Sequence, residues 1–133
     1  QNDLDKGLED VISFHGYCAD ISCVVERASL LILPSLFEGM PNVLLEAMAL
    51  RTPCLISNVE SHKLIFKENE VVFFESNNPK SLSEKIAEVA EGKYAIENMV
   101  DKAHGFACKQ TTGAVAYQYE EIYRQMLRER EHG

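Results

Sequence analysis

The chain has 133 residues, 46% of them hydrophobic and 26% charged, with a formal net charge of −8. That gives room for one domain with one core, at the composition of an ordinary soluble protein. An acidic balance with no Lys/Arg cluster longer than two argues against nucleic acid or an anionic membrane surface as a partner.

No apolar run reaches the length that spans a bilayer. The N-terminus, QNDLDKGLED, is polar and acidic, so it is not expected to be a signal peptide, and it lacks an initiator Met. The chain is therefore expected to be a piece of a longer protein, with residues 1–10 as a lead-in. Cys18, Cys23, Cys54 and Cys108 form no CxxC pair and have no His at finger-like spacing. They read as free thiols in a reducing cytoplasm, with no metal site.

In chain order, Val11–Phe14 reads as a short strand and His15–Tyr17 as a turn. Ile21, Val24, Val25 and Ala28 recur at helical spacing, which predicts a short helix over Asp20–Arg27. Ser29–Leu33 (SLLIL) is a continuous apolar run, the pattern of a parallel strand buried on both faces, and Pro34 stops it. A turn-rich segment, Pro34–Pro41, leads into a helix running to Leu50, with Pro41 at its first position. Cys54–Ser57 is the next strand, Glu60–Lys67 a short helix and Val71–Phe74 a further strand. Asn78-Pro79 caps and opens a helix with Leu82, Ile86 and Val89 on one stripe, and Gly92 ends it. Ala95–Cys108 reads as helical. Ala114–Glu131 is predicted to be a long amphipathic helix, in which the tyrosines Tyr117, Tyr119 and Tyr123 serve packing. The alternation of four strands with helices predicts an α/β fold, a Rossmann-like parallel sheet flanked by helices.

In such sheets ligands bind at the carboxyl ends of the strands. The loops there are His15–Ala19, Pro34–Pro41 and Asn58–Ser61, and the second is the richest. Gly39 lets backbone approach a ligand closely. The first N–H groups of the following helix are unpaired and carry partial positive charge, so they can cradle a phosphate or a sugar hydroxyl. Glu38 sits on that loop. Glu46 is the one charge on an apolar helix and shares a narrow stripe with Asn42 and Ala49, so it is expected in a buried place or at the wall of a cleft. An ionised carboxylate accepts from two donors at once, which suits a vicinal diol such as a ribose. On chemistry alone, a solvated Glu38 and a Glu46 paired with a neighbouring Lys or backbone amide serve equally well.

The strings add more. PSLFEGMPNVLLEAMALRTPCLIS resembles the signature of family 4 retaining glycosyltransferases of the GT-B fold, including its pair of glutamates eight apart, here Glu38 and Glu46. The similarity extends from about Val11 to Leu127. It implies that 1–133 is part of a single C-terminal domain, incomplete, that binds a nucleotide-sugar donor. By the same resemblance, Glu46 would hold the ribose hydroxyls and Glu38 would contact the donor sugar near the reaction centre. Gly39, Met40, Pro41 and Asn42 would line the sugar and diphosphate, Ser35 would position them, and Gly16 and Tyr17 would lie near the nucleobase. The family needs no metal and no cofactor beyond its nucleotide-sugar substrate. The other implied partner is an N-terminal acceptor-binding domain of the same parent chain, through which any peripheral membrane association would run. The implied site of action is cytoplasmic, in polysaccharide, glycolipid or glycoconjugate synthesis, and this piece alone is expected to be inactive.

Two departures stand out. Arg51 occupies a turn position where the family usually has Gly, so either the turn is remodelled or Arg51 is left-handed. Val59-Glu60-Ser61-His62-Lys63 replaces the family's Gly-Gly-x-Pro-Glu segment; a subset of the family carries a His there, so His62 either belongs to that variant or, as is expected of a lone loop His, is solvated. A nucleotide-sugar epimerase of the same architecture and a non-catalytic nucleotide-sugar-binding module remain as alternatives.

Overall fold

The computed structural model describes residues 8, 10–111 and 113. At its centre lies β2 (Cys54–Ser57), all four residues of which are buried. It pairs in parallel with β1 (Leu31–Leu33) on one side and β3 (Val72–Phe74) on the other, giving the order β1-β2-β3. The register sets Leu33 beside Ile56, and Ile56 beside Phe73. Alternation along β2 sends Cys54 and Ile56 to one face and Leu55 to the other. The first face packs with Val25, Leu44, Met48, Phe66 and Val71; the second with Val72, Phe74 and Met99.

Five helices flank the sheet: α1 (Ser22–Arg27), α2 (Asn42–Ala49), α3 (Glu60–Ile65), α4 (Pro79–Ala90) and α5 (Ile96–Cys108). Helix α2 connects β1 to β2 and α3 connects β2 to β3, the strand–helix–strand order required when successive strands run parallel. Helix α5 lies against α2, where the small side chains of Ala103 and Ala107 join the core and the Phe106 ring meets Phe66 edge-on at 5.3 Å. Helix α4 starts and stops where its local sequence says. The Asn78 side chain accepts from the Ser81 N–H at 3.0 Å, and Pro79 fills the first turn. Gly92, at φ +73°, closes the far end. There the Lys93 N–H reaches Glu88 O and the Gly92 N–H reaches Val89 O, the paired bonds of a Schellman motif.

Several expectations change. Val11–Phe14 is not a strand: it makes no ladder pairing, and Val11 and Phe14 are 74% and 75% exposed. An apolar run becomes a strand only where a neighbour accepts its hydrogen bonds, and the described sheet has three strands, not four. β1 is likewise not buried on both faces. Among the described residues it is an edge strand, and Ile32 is 36% exposed, while the fully buried role falls to β2. Pro41 caps α2 rather than opening it, with extended backbone at φ −77° and ψ 119°. Of the two places expected for Glu46, the buried one is excluded: it is exposed on α2, because the core face of that helix is Leu44, Ala47 and Met48. His62 is fully buried, not solvated. The predicted Ala114–Glu131 helix and its tyrosines lie outside the described residues.

Arg51 resolves the first departure. It takes φ +63°, directly after the end of α2. The Thr52 N–H bonds to Ala47 O and the Arg51 N–H to Met48 O, so the turn is the same Schellman motif that ends α4, with arginine in the position Gly92 holds there. Its side chain reaches α5, with Nη1 2.5 Å from Asp101 Oδ1.

Candidate functional site

Because the three strands are parallel, their carboxyl ends emerge on one edge. Three loops meet there: Pro34–Pro41 after β1, Asn58–Val59 after β2 and Glu75–Asn78 after β3. Side chains knit them together. The Ser57 hydroxyl donates to Ser35 O at 2.6 Å, joining the first two loops. The Ser76 N–H donates to Asn58 Oδ1 at 2.9 Å, joining the second to the third. A cavity of about 310 Å³ opens between the first and third loops, lined by Pro34, Leu36, Phe74, Asn78, Pro79 and Leu82.

The loop after β1 carries most of the sequence-predicted residues. Ser35 and Glu38 are half-buried, and the Ser35 hydroxyl donates to the Glu38 carboxylate. This contact holds one carboxylate oxygen of Glu38 and fixes the side chain against its own loop. Gly39 follows, exposed, and a β-carbon built on it would meet nothing within 4 Å. Its backbone is not left-handed either. Nothing within the described chain therefore requires glycine at this position.

Pro41 then turns the chain into α2. It is buried, and its carbonyl accepts from the N–H groups of Leu44 and Leu45. The N–H groups of Gly39, Met40, Asn42 and Val43 make no hydrogen bond to any described residue. This is a helix start without a side-chain cap, so its first donors stay free and the positive end of the helix dipole is uncovered. Asn42, Glu46 and Ala49 are exposed together on the outer stripe of α2. No ion pair or hydrogen bond engages the Glu46 carboxylate among the described residues, so no described lysine or amide supplies the pairing that one of the sequence alternatives expects.

No hydrogen bond among the described residues ties Gly16 or Tyr17 to this group. Gly16 takes φ +62° in a turn and Tyr17 is 95% exposed. Sequence reasoning missed Ser57 and His62. Ser57 ends a strand of apolar neighbours, and only the register of β1 against β2 brings its hydroxyl to Ser35. Its one detectable signal is a polar residue at the carboxyl end of a buried strand.

All four cysteines are free. Cys54 is buried with its thiol donating to Thr52 O, and burial pushes that thiol up to about 12. No group of three or more His, Cys, Asp or Glu among the described residues could hold a metal ion. No helix among them is long and apolar enough to cross a membrane.

Comparison with known proteins fits this geometry. The glycosyl transferases group 1 family matches residues 2–106. The UDP-Gal:alpha-D-GlcNAc-diphosphoundecaprenol alpha-1,3-galactosyltransferase of Escherichia coli is 30% identical over 99 residues, which is 74% of this chain and 25% of that protein. The N,N'-diacetylbacillosaminyl-diphospho-undecaprenol alpha-1,3-N-acetylgalactosaminyltransferase of Campylobacter jejuni is 25% identical over 118 residues, 88% of this chain and 31% of that protein. Among solved structures, a glycosyltransferase from Rickettsia africae superposes with a TM-score of 0.74 at 18% identity, covering 90% of this chain and 33% of that one. Sucrose-phosphate synthase from Thermosynechococcus elongatus does so with a TM-score of 0.73 at 23% identity, covering 90% and 31%. These two structural likenesses speak for the fold, a Rossmann-like α/β unit of the GT-B kind. The chain spans 25% and 31% of the two curated relatives. With most of its length matched by the family, the chain belongs to the glycosyl transferases group 1 family.

Proposed function

We propose that this chain is the donor-binding part of a retaining glycosyltransferase of family 4, working with an acceptor-binding domain that the matched region does not include. The observation that carries the reading is the start of α2. An exposed, unpaired Glu46 stands one turn into a helix whose first donors are free, directly after a loop bearing a tethered Glu38.

Each group has a task in this reading. The ionised Glu46 carboxylate accepts from both hydroxyls of the donor ribose. The diphosphate lies against the free N–H groups of Gly39, Met40, Asn42 and Val43, where the helix dipole favours negative charge. As the sugar leaves, charge builds on the diphosphate, and donors already aimed at it need no reorganisation. Glu38, its second carboxylate oxygen left free by the Ser35 contact, faces the sugar. The open space above Gly39 leaves room for the donor to lie on the backbone. Gly16 and Tyr17 border the nucleobase. No metal takes part.

The left-handed Arg51 preserves the turn that the family builds with glycine, which supports an intact donor site over a degenerate binding module. The names of the curated relatives suggest where to begin: UDP-galactose as donor and a sugar on diphosphoundecaprenol as acceptor. The test is calorimetric titration with a panel of UDP- and GDP-sugars, followed by transfer assays in the full-length protein. Binding that disappears in Glu46→Ala, with transfer that disappears in Glu38→Ala, is the expected result. Binding and turnover that survive both substitutions refute the site, and isomerisation without transfer assigns the protein to the epimerases.

A further inference from the structure

The donor site as read above uses none of the buried polar side chains Thr52, Ser57 and His62, and of these only His62 keeps an atom without a partner among the described residues. His62 lies in α3 and is 0% exposed. Its Nδ1 is 2.8 Å from Ser57 O. A carbonyl oxygen only accepts, so Nδ1 carries a proton. Nε2 has no hydrogen-bond partner among the described residues. Packing does not call for these nitrogens. The neighbouring ring, Phe66, meets His62 edge-on at 6.3 Å, a contact that a phenylalanine would make as well without burying an unpaired nitrogen. What an apolar ring could not do is donate to Ser57.

Ser57 is the junction of this part of the fold. Its carbonyl takes the bond from His62, which fixes the backbone at the carboxyl end of β2. Its hydroxyl donates to Ser35 O at 2.6 Å, which fixes the backbone of the loop after β1. The Ser35 hydroxyl donates in turn to the Glu38 carboxylate. Three hydrogen bonds thus run from the interior to the loop glutamate, across α3, β2 and the first loop. Each link sets the position of the next, and no member of the chain can shift without loosening the one beyond it.

We propose that His62 is a positioning residue for Glu38, acting through Ser57 and Ser35. It touches neither sugar nor nucleotide. Its Nδ1–H holds the end of β2 where the Ser57 hydroxyl can pin the loop, so that Glu38 meets the donor in one orientation. The inference rests on the reading of Glu38 as the residue facing the donor sugar.

The test compares isosteric amides in the full-length protein, using the UDP- or GDP-sugar that the wild type turns over fastest. Asn places its amide N–H near the position of Nδ1, whereas Gln places it near Nε2. His62→Asn is expected to keep kcat within about threefold of wild type. His62→Gln and His62→Leu are expected to lower kcat about tenfold or more, with little change in KM for the donor. Ser35→Ala is expected to lower kcat similarly, and adding His62→Leu to it should cost little more, because both break one chain. Equal kcat across the three His62 variants overturns the proposal. So does a loss in kcat that follows thermal stability and is the same for Asn and Gln, which marks a packing role, and so does full additivity of Ser35→Ala with His62→Leu. Turnover that falls in Glu38→Ala but survives His62→Gln and His62→Leu overturns the positioning role alone. Turnover that survives Glu38→Ala overturns the site reading together with it.

Discussion

The two ends of α2 are built on opposite principles. At its C-terminal end the backbone and side chains find partners. Ala47 and Met48 carbonyls accept from Thr52 and Arg51, the Thr52 hydroxyl donates to Val25 O at 2.8 Å, and the Ala49 carbonyl lies 3.0 Å from His104 Nδ1 on α5. At its N-terminal end the first N–H groups make no hydrogen bond to a described residue and the preceding Phe37 is 95% exposed; one turn further in, on the outer face, the Glu46 carboxylate has no partner among the described residues. One end of the helix is satisfied by its own chain, and the other finds no hydrogen-bond partner among the described residues. If the proposed reading holds, stability and donor binding draw on separate parts of one eight-residue element, so substitutions should sort accordingly.

The sharpest test is Glu46→Ala. Losing a charged acceptor for two ribose hydroxyls should weaken nucleotide-sugar binding at least about tenfold, or about 1.4 kcal/mol, by titration calorimetry. The same substitution, at an exposed helical position, should leave the denaturation midpoint almost unchanged. Thr52→Val reverses the pattern. It removes a buried hydroxyl donor from Val25 O, which should cost about 1–2 kcal/mol in urea denaturation without altering affinity. Gly39→Ala should separate the two quantities in a single protein: stability rising by roughly 0.4–1 kcal/mol, since the backbone there suits alanine, while donor affinity falls severalfold. Arg51→Gly is the smaller counterpart at the closed end. Relief of the left-handed backbone outweighs an exposed ion pair with Asp101, for a net gain of about 0.5–1 kcal/mol. A stability change at the open end as large as that of Thr52→Val would break the division.

Acidity offers a further check on the closed half of the molecule. Burial raises the Cys54 thiol from 9.0 to about 12, so its folded pKa lies above its unfolded one. The stability it contributes is fully present below pH 9.0 and is lost as pH rises toward about 12. Cys54→Ala should flatten this alkaline decline in urea midpoint, whereas replacing the exposed Cys18 should not.

What the sequence disclosed, and what it withheld, follows from the range of the forces involved. Helix α4 was readable at both ends, because Asn78, Pro79 and Gly92 act within a few residues of their own positions. The Asn42–Glu46–Ala49 stripe was readable because helical periodicity is local too. Its exposure was not, since an apolar sequence around Glu46 looks buried until the core shows which face it takes. Val11–Phe14 and Ser29–Leu33 have similar apolar character, yet only the second yields a strand, because a strand exists through a neighbour far along the chain. His62 was hidden for the same reason: it sits between Ser61 and Lys63, which suggest solvent, and only the packing of α3 against the sheet buries it. Arg51 was flagged as a misfit by its residue type, and its conformation then followed from the helix end it must close.

The edge position of β1 carries a consequence for handling. Among the described residues β1 pairs only with β2, and its other side presents backbone donors and acceptors beside the half-covered Ile32. A strand margin of that kind is a template on which a second molecule can lay its own backbone. For this chain in isolation, association through that margin is bimolecular, so it grows with protein concentration and dilution favours the monomer.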